Sequence, residues 1–395
     1  MHRMQGIEGV LGTLRSQALS APESGIVELV NAGREQENLI PLWVGEGELP
    51  TPDFICEAAY KSLRDGETFY TYQRGLPELR EALANYHENV YGRPFSSDRF
   101  FVTGSGMHAI LIALQATVSA GEEILVPSPV WPNLAACAGI AGAHPVFVPM
   151  QFSEGRWELD MELLQASVTS KTKALFINSP CNPTGWVATR ETLAELREFA
   201  LKNNLWIIAD EVYGRFVFGE EKRAPSFYDV AQDDDPILYV NTFSKNWAMT
   251  GWRIGWLSCP KGMGQIVENL VQYSTSGTAA FMQRAAVAAL QNGDEFLQFQ
   301  VEKAQRGRAL LTERFVKHSR LNLSMPDGAF YLFFSIDGLA DSRETAFAIL
   351  RETGVGLAPG TAFGPGGKPF FRLCFARDIG QLNDASRLLC RWIGD

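Results

Sequence analysis

Four short segments of the sequence combine residue types that could do chemistry. In chain order they are a Gly-Ser-Gly turn at 104–106, an Asn-Pro-Thr-Gly segment at 182–185, an Asp-Glu pair at 210–211 and a Ser-Lys pair at 244–245. A lysine amine can attack a carbonyl carbon, a carboxylate can hold a proton, and a glycine turn that opens a helix can bind a phosphate. Each segment, taken alone, also has an ordinary structural explanation.

The glycine turn follows an apolar run and opens a helical pattern. Residues 104–109 fit G-x-G-x-x-A, which is also typical of dinucleotide-binding folds. That interpretation needs an acidic residue after the next strand. Here Glu122 and Glu123 precede that strand and Pro-Ser-Pro at 127–129 follows it, so a nicotinamide site is disfavoured. The structural alternative is a tight strand-to-helix turn.

The other three segments have similar alternatives. An apolar strand that ends in Asp210 could be a Walker B element, but the sequence has no G-x-x-x-x-G-K-[ST] loop to accompany it. The pair could then be a solvated acidic turn. Proline and glycine at 182–185 usually mark a simple turn. A lysine in a polar stretch, such as Lys245, is usually a surface residue.

The order and spacing of these segments change that balance. The motifs that carry the resemblance are Gly-Glu-Gly at 45–47, a Tyr-x-x-x-x-Gly-Leu-Pro-x-Leu-Arg segment at 70–80, Asn182-Pro183-Thr184-Gly185, Asp210 with Tyr213, Thr242-Phe243-Ser244-Lys245 and Gly-Trp-Arg-Ile-Gly at 251–255. This pattern resembles the class I/II aminotransferases of the pyridoxal-phosphate (PLP) fold type I, of the aspartate-aminotransferase type. The resemblance runs from about Gly45 to Arg372, most of the chain.

The resemblance implies PLP as the cofactor and a role for each site residue. Lys245 would form a Schiff base with the cofactor and then move a proton between it and the substrate. Asp210 would keep the pyridine nitrogen protonated, and Tyr213 and Asn182 would hydrogen-bond the phenolic oxygen. Trp131 would stack on the ring. Lys245, Asp210 and Tyr213 are therefore the expected catalytic residues.

The phosphate and the substrate would be held by a second group of residues. The expected phosphate ligands are Ser105, Gly106, Met107, Thr242, Ser244 and Arg253. Met107 stands where relatives often carry a polar residue, but its backbone N–H can still serve. Arg372 would bind the substrate α-carboxylate with help from the Gly45 backbone, and Trp131 and Asn182 would also contact the substrate. Tyr70 would reach the phosphate from the other chain of a homodimer.

The resemblance implies an aminotransferase of amino acid metabolism. It would move an amino group between an L-amino acid and a 2-oxo acid by a ping-pong mechanism, with glutamate and 2-oxoglutarate as one pair. A β-elimination C–S lyase of the same fold is the alternative. A PLP-binding transcription regulator would need an N-terminal winged helix-turn-helix, and the 44 residues before Gly45 show no recognition-helix pattern.

No residue identifies itself as the selector of the substrate side chain. Arg15 and Arg74 are candidates for a second carboxylate, and Trp43, Trp186 and Tyr331 for a larger apolar group. For each of them, surface exposure or packing is the favoured explanation.

The composition bounds these interpretations. A chain of 395 residues with 46% hydrophobic residues predicts two domains, and a net charge of -10 disfavours nucleic acid and anionic membrane as partners. The six cysteines are scattered without a CxxC pair, so we expect neither a disulfide framework nor a metal site, and a cytoplasmic location. No apolar run is long enough to span a membrane.

From about residue 100, predicted strands alternate with predicted helices along the chain, and these elements would carry the site residues. The predicted strands are 100–102, 124–126, 145–148, 174–177 and 205–209, and the predicted helices are 106–118, one after Trp131, and 189–203. Alternation predicts an α/β fold with a mostly parallel sheet covered by helices, and the resemblance implies seven strands. Residues 285–318 predict one or two long helices, followed by a strand pair at 330–334 and 370–375.

The expected division is therefore a large PLP-binding domain at 46–285 and a small α+β domain formed by 1–45 and 286–395. The resemblance also implies cis peptide bonds at Ser128–Pro129 and Asn182–Pro183, which would aim Trp131 and Asn182 at the cofactor.

Overall fold

The computed structural model describes residues 11–394, so residues 1–10 and Asp395 of the predicted small domain lie outside the described residues. The strands are β1 (Ile40–Pro41), β2 (Phe100–Thr103), β3 (Glu123–Ser128), β4 (His144–Pro149), β5 (Gln151–Ser153), β6 (Arg156–Glu158), β7 (Thr172–Asn178), β8 (Trp206–Asp210), β9 (Ile237–Thr242), β10 (Gly255–Ser258), β11 (Leu321–Leu323), β12 (Tyr331–Ile336), β13 (Val355–Gly356), β14 (Ala358–Pro359) and β15 (Phe370–Cys374).

Helices surround these strands. They are α1 (Ser16–Leu19), α2 (Gly25–Ala32), α3 (Asp53–Arg64), α4 (Pro77–Tyr91), α5 (Gly106–Thr117), α6 (Asn133–Ala141), α7 (Met161–Ala166), α8 (Arg190–Lys202), α9 (Phe243–Asn246), α10 (Gly264–Gln272), α11 (Ala280–Asn292), α12 (Asp294–Val316), α13 (Ser342–Thr353) and α14 (Ile379–Ile393).

The main sheet has seven strands in the order β2-β10-β9-β8-β7-β3-β4. Strand β10 is antiparallel to both of its neighbours, whereas the remaining pairs of neighbours are parallel. Six strands therefore point the same way, and their carboxyl ends meet at one edge of the sheet. This confirms the predicted mostly parallel, seven-stranded α/β fold.

Both faces of this sheet are buried, because successive side chains of a strand point to opposite faces. Along β3, Ile124 and Val126 belong to the hydrophobic core on one face, and Leu125 belongs to the core on the other. The same alternation places Ile208 and Ile207 of β8 in different cores. This explains why the strands are continuous apolar runs in the sequence.

The helices between the strands form where an apolar face and a cap coincide. Helix α8 begins after Thr189, whose hydroxyl accepts a hydrogen bond from the N–H of Thr192. Its buried residues Leu193, Leu196 and Ala200 recur at helical spacing and face the sheet. The cap satisfies an N–H that has no acceptor within the helix.

A second, four-stranded antiparallel sheet has the order β11-β12-β15-β14. Its core also contains Leu29 and Leu42 from the amino-terminal part of the chain. The parallel pairing of β1 with β13, Ile40 opposite Val355, joins the same segment to the carboxyl-terminal part. The described part of the amino-terminal segment that contains Leu29, Leu42 and β1 therefore packs on the smaller sheet.

Several elements differ from the sequence-based expectation. The strands that were not predicted are β1, β5, β6, β9, β10, β11, β13 and β14. The prediction of one or two long helices over residues 285–318 agrees with the two helices α11 and α12, which Gly293 separates. Both expected cis peptide bonds are confirmed, and Ser179–Pro180 is cis as well. Within residues 11–394, no helix is long and apolar enough to cross a membrane.

Candidate active site

The predicted site residues lie where strands of the main sheet end. Asp210 is the last residue of β8 and Lys245 follows β9 by three residues. Trp131 and Asn182 follow β3 and β7 in the same way. Because β10 runs in the opposite direction, it begins at this edge, and Arg253 lies just before it. Strand direction thus brings together residues that are more than 100 positions apart.

These residues line a cavity of about 510 Å³. The predicted site residues that line it are Gly45, Gly106, Met107, Trp131, Asn182, Asp210, Tyr213, Thr242, Ser244, Lys245, Arg253 and Arg372. Two predicted residues do not. Ser105 is buried behind the lining at the start of α5, and the side chain of Tyr70 is 93% exposed on the outer surface.

Lys245 donates a hydrogen bond from Nζ to the carbonyl oxygen of Gly45, at 2.7 Å. Its ammonium lies 5.7 Å from the centre of the Tyr213 ring. Burial lowers the pKa of Lys245 to about 8, against an ordinary value of 10.5. A lysine with this pKa is neutral often enough near neutral pH to act as a nucleophile or a base.

Asp210 is a buried carboxylate with little internal support, since its side chain is only 3% exposed. Among the described residues, it accepts one hydrogen bond, from the N–H of Val212 at 3.3 Å, and forms no ion pair. Burial raises its pKa to about 7, although the Val212 N–H and the charge of Lys245 act in the opposite direction. A cationic N–H donor in the cavity would supply the missing partner.

Arg372 is the corresponding buried cation, in the middle of β15 and 2% exposed. It donates to Oδ1 of Asn182 at 2.9 Å and to the carbonyl oxygen of Trp43. Its guanidinium lies over the rings of Tyr331 and Phe363, at 4.6 and 4.9 Å. No acidic residue of the described chain pairs with it, and its Nε has no hydrogen-bond partner. A buried guanidinium of this kind can bind a carboxylate with two hydrogen bonds.

Asn182 and Tyr213 form the wall between these charges. Because Oδ1 of Asn182 accepts from Arg372, its amide nitrogen is free to donate. The hydroxyl of Tyr213 lies 2.6 Å from that of Tyr331. Burial raises the pKa of Tyr213 well above its ordinary value, so its hydroxyl stays protonated and can donate.

The start of α5 forms an anion site with α9 and Arg253. Ser105 caps α5 by accepting from the N–H of His108, and the first N–H groups of the helix point into the cavity end. Thr242 caps α9 and its hydroxyl lies 3.0 Å from that of Ser244. Arg253 forms no ion pair with any described residue and donates only to the carbonyl oxygen of Thr250.

Two features hold this anion site in place. A Cβ on Gly255 would lie 2.7 Å from the backbone nitrogen of Gly106, so only glycine lets β10 approach the turn this closely. His108 accepts from the N–H of Gly104 at 3.0 Å and contacts the hydroxyl of Ser274 at 2.9 Å. His108 therefore supports the turn from within its helix.

The residues present fit PLP. Its phosphate matches the anion site, its protonated pyridine nitrogen would give Asp210 the partner that the carboxylate lacks, and its aldehyde matches an amine of lowered pKa at Lys245. Trp131 supplies an aromatic surface beside the cavity. Among residues 11–394, no group of three or more His, Cys, Asp or Glu side chains could hold a metal ion.

The structure places the five candidate selectors differently. Arg15 donates to the carbonyl oxygen of Ile140 and Arg74 pairs with Glu268, both outside the cavity. The side chains of Trp43 and Trp186 pack in the core, so packing explains them. Tyr331 is the exception, because it lines the cavity beneath Arg372.

Sequence reasoning also missed the amino-terminal wall of the cavity. Ile26, Val27 and Val30 of α2 line it together with Val44. The spacing of Ile26 and Val30 indicated one apolar helix face, but nothing in the sequence showed what that face contacts.

Comparisons with known proteins agree with this geometry. A sequence profile of the family described as "Aminotransferase class I and II" matches residues 37–387. The aspartate aminotransferase of Thermotoga maritima is 36% identical over 352 residues, covering 89% of this chain and 90% of its own. The aromatic-amino-acid aminotransferase 2 of Thermococcus litoralis is 34% identical over 372 residues, covering 92% and 93%. A crystal structure of the Thermotoga maritima enzyme has a TM-score of 0.89 at 34% identity, covering 95% of this chain and 98% of that one.

The comparisons do not support the nicotinamide and transcription-regulator alternatives, and they do not favour the C–S lyase. Relatives such as those from Thermotoga maritima and Thermococcus litoralis are named as aminotransferases, and their names differ in the amino acid.

The buried carboxylate makes the stability of the cofactor-free protein depend on pH. The folded protein holds the Asp210 proton more tightly than the unfolded chain does, since the pKa rises from 3.8 to about 7. Folding stability from this group therefore falls as the pH rises between these values. The free energy of unfolding of Asp210→Asn should exceed that of the wild type by about 2–4 kcal/mol near pH 8, and this difference should be lost near pH 4.

Urea unfolding of both cofactor-free proteins at the two pH values measures this. Asp234→Asn, in an exposed loop, is the matched control and should change little at either pH. If Asp210→Asn were equally or less stable near pH 8, the carboxylate would have a partner and the cavity would not need a cation.

Proposed function

This chain belongs to the class I and II aminotransferases, which depend on PLP, and we propose that Lys245, Asp210 and Arg372 perform amino transfer in the cavity between its two sheets. Its substrates are an amino acid and a 2-oxo acid. The observation that carries the proposal is that Asp210 and Arg372 are both buried, have no ion pair among the described residues, and line the same cavity as Lys245. One charge suits the cofactor ring and the other suits a substrate carboxylate.

When bound, the cofactor withdraws electrons from the α-carbon of the substrate, which makes the proton on that carbon acidic. Lys245 would act as a general base that removes this proton from the α-carbon and then as a general acid that delivers a proton to the cofactor. Because its pKa is about 8, both the neutral and the charged form of Lys245 are populated near neutral pH. The Gly45 carbonyl, 2.7 Å from Nζ, orients the amine.

Asp210 keeps a proton on the ring nitrogen, because the ionised carboxylate is stable in this buried position only beside a cation. Tyr213 and the free amide N–H of Asn182 would donate to the phenolic oxygen of the bound cofactor. Trp131 would cover its ring and exclude water. The phosphate would be held by Gly106, Met107, Thr242, Ser244 and Arg253, and Ser105 would support this group by capping α5.

Arg372 binds the α-carboxylate of the substrate. Only part of its five N–H donors is used by Asn182 and Trp43, so donors remain for two carboxylate oxygens. The rings of Tyr331 and Phe363 lie 4.6 and 4.9 Å from the guanidinium and help to hold it in place. A carboxylate bound to Arg372 would hold the α-carbon in the cavity that Lys245 lines, as proton transfer requires.

We further propose glutamate and 2-oxoglutarate as one substrate pair, with the transfer in two separate halves. Holoenzyme mixed with glutamate that carries a labelled amino nitrogen, and no oxo acid, should form about one equivalent of 2-oxoglutarate per subunit and then stop, because the nitrogen stays with the enzyme. A different 2-oxo acid added afterwards should leave as a labelled amino acid. Mass spectrometry of the products measures both steps.

Arg372→Leu should lower the rate of the first half at limiting glutamate by about tenfold to a hundredfold, since a charged hydrogen-bonded pair is lost. Arg372→Lys, which keeps the charge, should lose less. With cysteine as the donor, continuous release of pyruvate and ammonia would instead reveal a lyase and would contradict the proposal.

The active unit is proposed to be a homodimer that shares its two sites. The support is an exposed aromatic surface formed by Phe69, Tyr70, Tyr72 and Tyr273, which an isolated subunit would leave in water. Tyr70 is too far out to line the cavity of its own chain, so its hydroxyl would contact the phosphate in the other subunit. Two-fold dimers are the commonest oligomers.

Two coarser features are also proposals. The boundaries 46–285 and 1–45 with 286–395 are supported by the core that Leu29 and Leu42 share with the smaller sheet. A cytoplasmic location is supported by the six cysteines, which all lie within the described residues and are free thiols.

Mixed dimers test the shared site. When one chain carries Lys245→Ala and the other Tyr70→Ala, one site receives both defects and the other receives neither. At limiting cofactor, the mixed dimer should regain about half of the wild-type activity per dimer, while the Lys245→Ala homodimer is inactive.

Tyr70→Phe in place of Tyr70→Ala keeps the ring and isolates the contribution of the hydroxyl. If the mixed dimer shows no more activity than its Tyr70→Ala chain alone can supply, each site is built from one chain.

A further inference from the structure

One wall of the cavity is apolar, and apart from Trp131 its residues have no role in the proposed function. It is formed by Ile26, Val27 and Val30 of α2, Val44, Ile110 of α5 and Trp131. We call these six residues the apolar wall. They come from four separate parts of the chain, so they converge on a common space only in the folded structure.

Helix α2 is fixed beside the carboxylate-binding group. Leu29 is fully buried in the core of the smaller sheet, and Glu28 pairs with Arg343 of α13 on the outer side. The helix also packs on the turn Gly360–Phe363, whose Phe363 ring lies 4.9 Å from the Arg372 guanidinium. A substrate held by Arg372 therefore has its side chain close to this helix.

Val44 gives a second, independent link to Arg372. It follows Trp43, whose carbonyl oxygen accepts from the Arg372 guanidinium, and precedes Gly45, whose carbonyl oxygen accepts from Lys245. The backbone that contacts both reacting groups thus presents a valine to the cavity.

Among the described residues of this chain, the cavity has no cation without an assigned role. Among the described residues that line it, the cations are Lys245, Arg253 and Arg372, and the proposed function uses all three. The nearest unassigned candidates, Arg15 and Arg74, donate to Ile140 and Glu268 outside the cavity. A second substrate carboxylate against this wall would lose its hydration and gain no charged partner from the described residues of its own chain, which is unfavourable.

We propose that the apolar wall selects amino acids with apolar or aromatic side chains over short dicarboxylic ones such as aspartate. This rests on the proposed function for the position of Arg372. Burial of an apolar side chain against the wall is favourable in proportion to the area removed from water. The side chain of aspartate is too short for its β-carboxylate to extend past the wall into water. Glutamate is one methylene longer, and its carboxylate can reach water past Val27, which is 52% exposed.

Binding of substrate-like acids that have no amino group tests the wall without requiring turnover. Calorimetry on the holoenzyme should give 3-phenylpropanoate a dissociation constant at least about tenfold lower than that of succinate, with glutarate between them. Equal or tighter binding of succinate would overturn the proposal, because a cation would then have to reach the wall.

A charge placed in the wall gives the converse test. Val27→Lys should bind succinate about tenfold more tightly than the wild type and 3-phenylpropanoate more weakly, since the new ammonium can meet the second carboxylate. Ala32→Lys adds the same charge to the exposed end of α2, outside the cavity, and should leave both constants unchanged. If the two variants behave alike, the effect is a general one of charge and the wall is not the selector.

Turnover separates this inference from the proposed function. Phenylalanine or leucine should be a better amino donor than aspartate by about tenfold in kcat/KM, in parallel with the binding constants. If binding follows the predicted order but no amino acid is transaminated, the proposed function is wrong and the selectivity of the wall stands. If amino acids are transaminated and succinate binds best, the wall proposal is wrong and the proposed function stands.

Discussion

Burial of ionisable groups without internal partners is the constraint on which this site depends. Asp210 and Arg372 are both almost completely buried, yet no ion pair among the described residues neutralises either of them. Such groups are costly to fold, and the cost is visible in the raised pKa of Asp210 and the lowered pKa of Lys245. The same burial makes them effective, because a bound ring nitrogen and a bound carboxylate interact strongly with charges that water does not screen.

The fold provides this arrangement through strand direction. Six parallel strands bring their carboxyl ends to one edge, where chain segments can carry Asp210 and Lys245 without disturbing the buried core. The reversed strand β10 contributes from its beginning, so Arg253 reaches the same edge from the opposite chain direction. Arg372 comes from the smaller sheet, and any movement between the two sheets would change its distance from Lys245. Helix α2 packs on the smaller sheet and would move with it.

Much of this was predictable from residues whose motif and strand position coincide. Asp210, Asn182 and Lys245 follow apolar strands, and their spacing matches a family pattern, so both their neighbourhood and their type could be inferred.

Tyr331 could not be assigned, because an aromatic residue inside an apolar strand has the same pattern whether it packs or lines a cavity. Strand β9 was missed because its polar end, Asn241-Thr242, obscured its apolar start, and the short β14 has too few residues to show a period. The wall formed by α2 depends on contacts over more than 100 residues, which periodicity cannot report. The sequence of one chain does not show which residues of a second subunit Tyr70 would contact.

The proposed chemistry depends on the amine of Lys245, which we propose as the group that holds the cofactor. The most direct measurement is reduction of the PLP-loaded protein with borohydride, followed by proteolysis and mass spectrometry of the peptides. We expect the stable cofactor adduct on the peptide that contains Lys245, at close to one adduct per chain, and we expect prior removal of the cofactor to abolish it. An adduct on another lysine, such as the surface residues Lys61 or Lys317, with Lys245 unmodified, would contradict the assignment of Lys245.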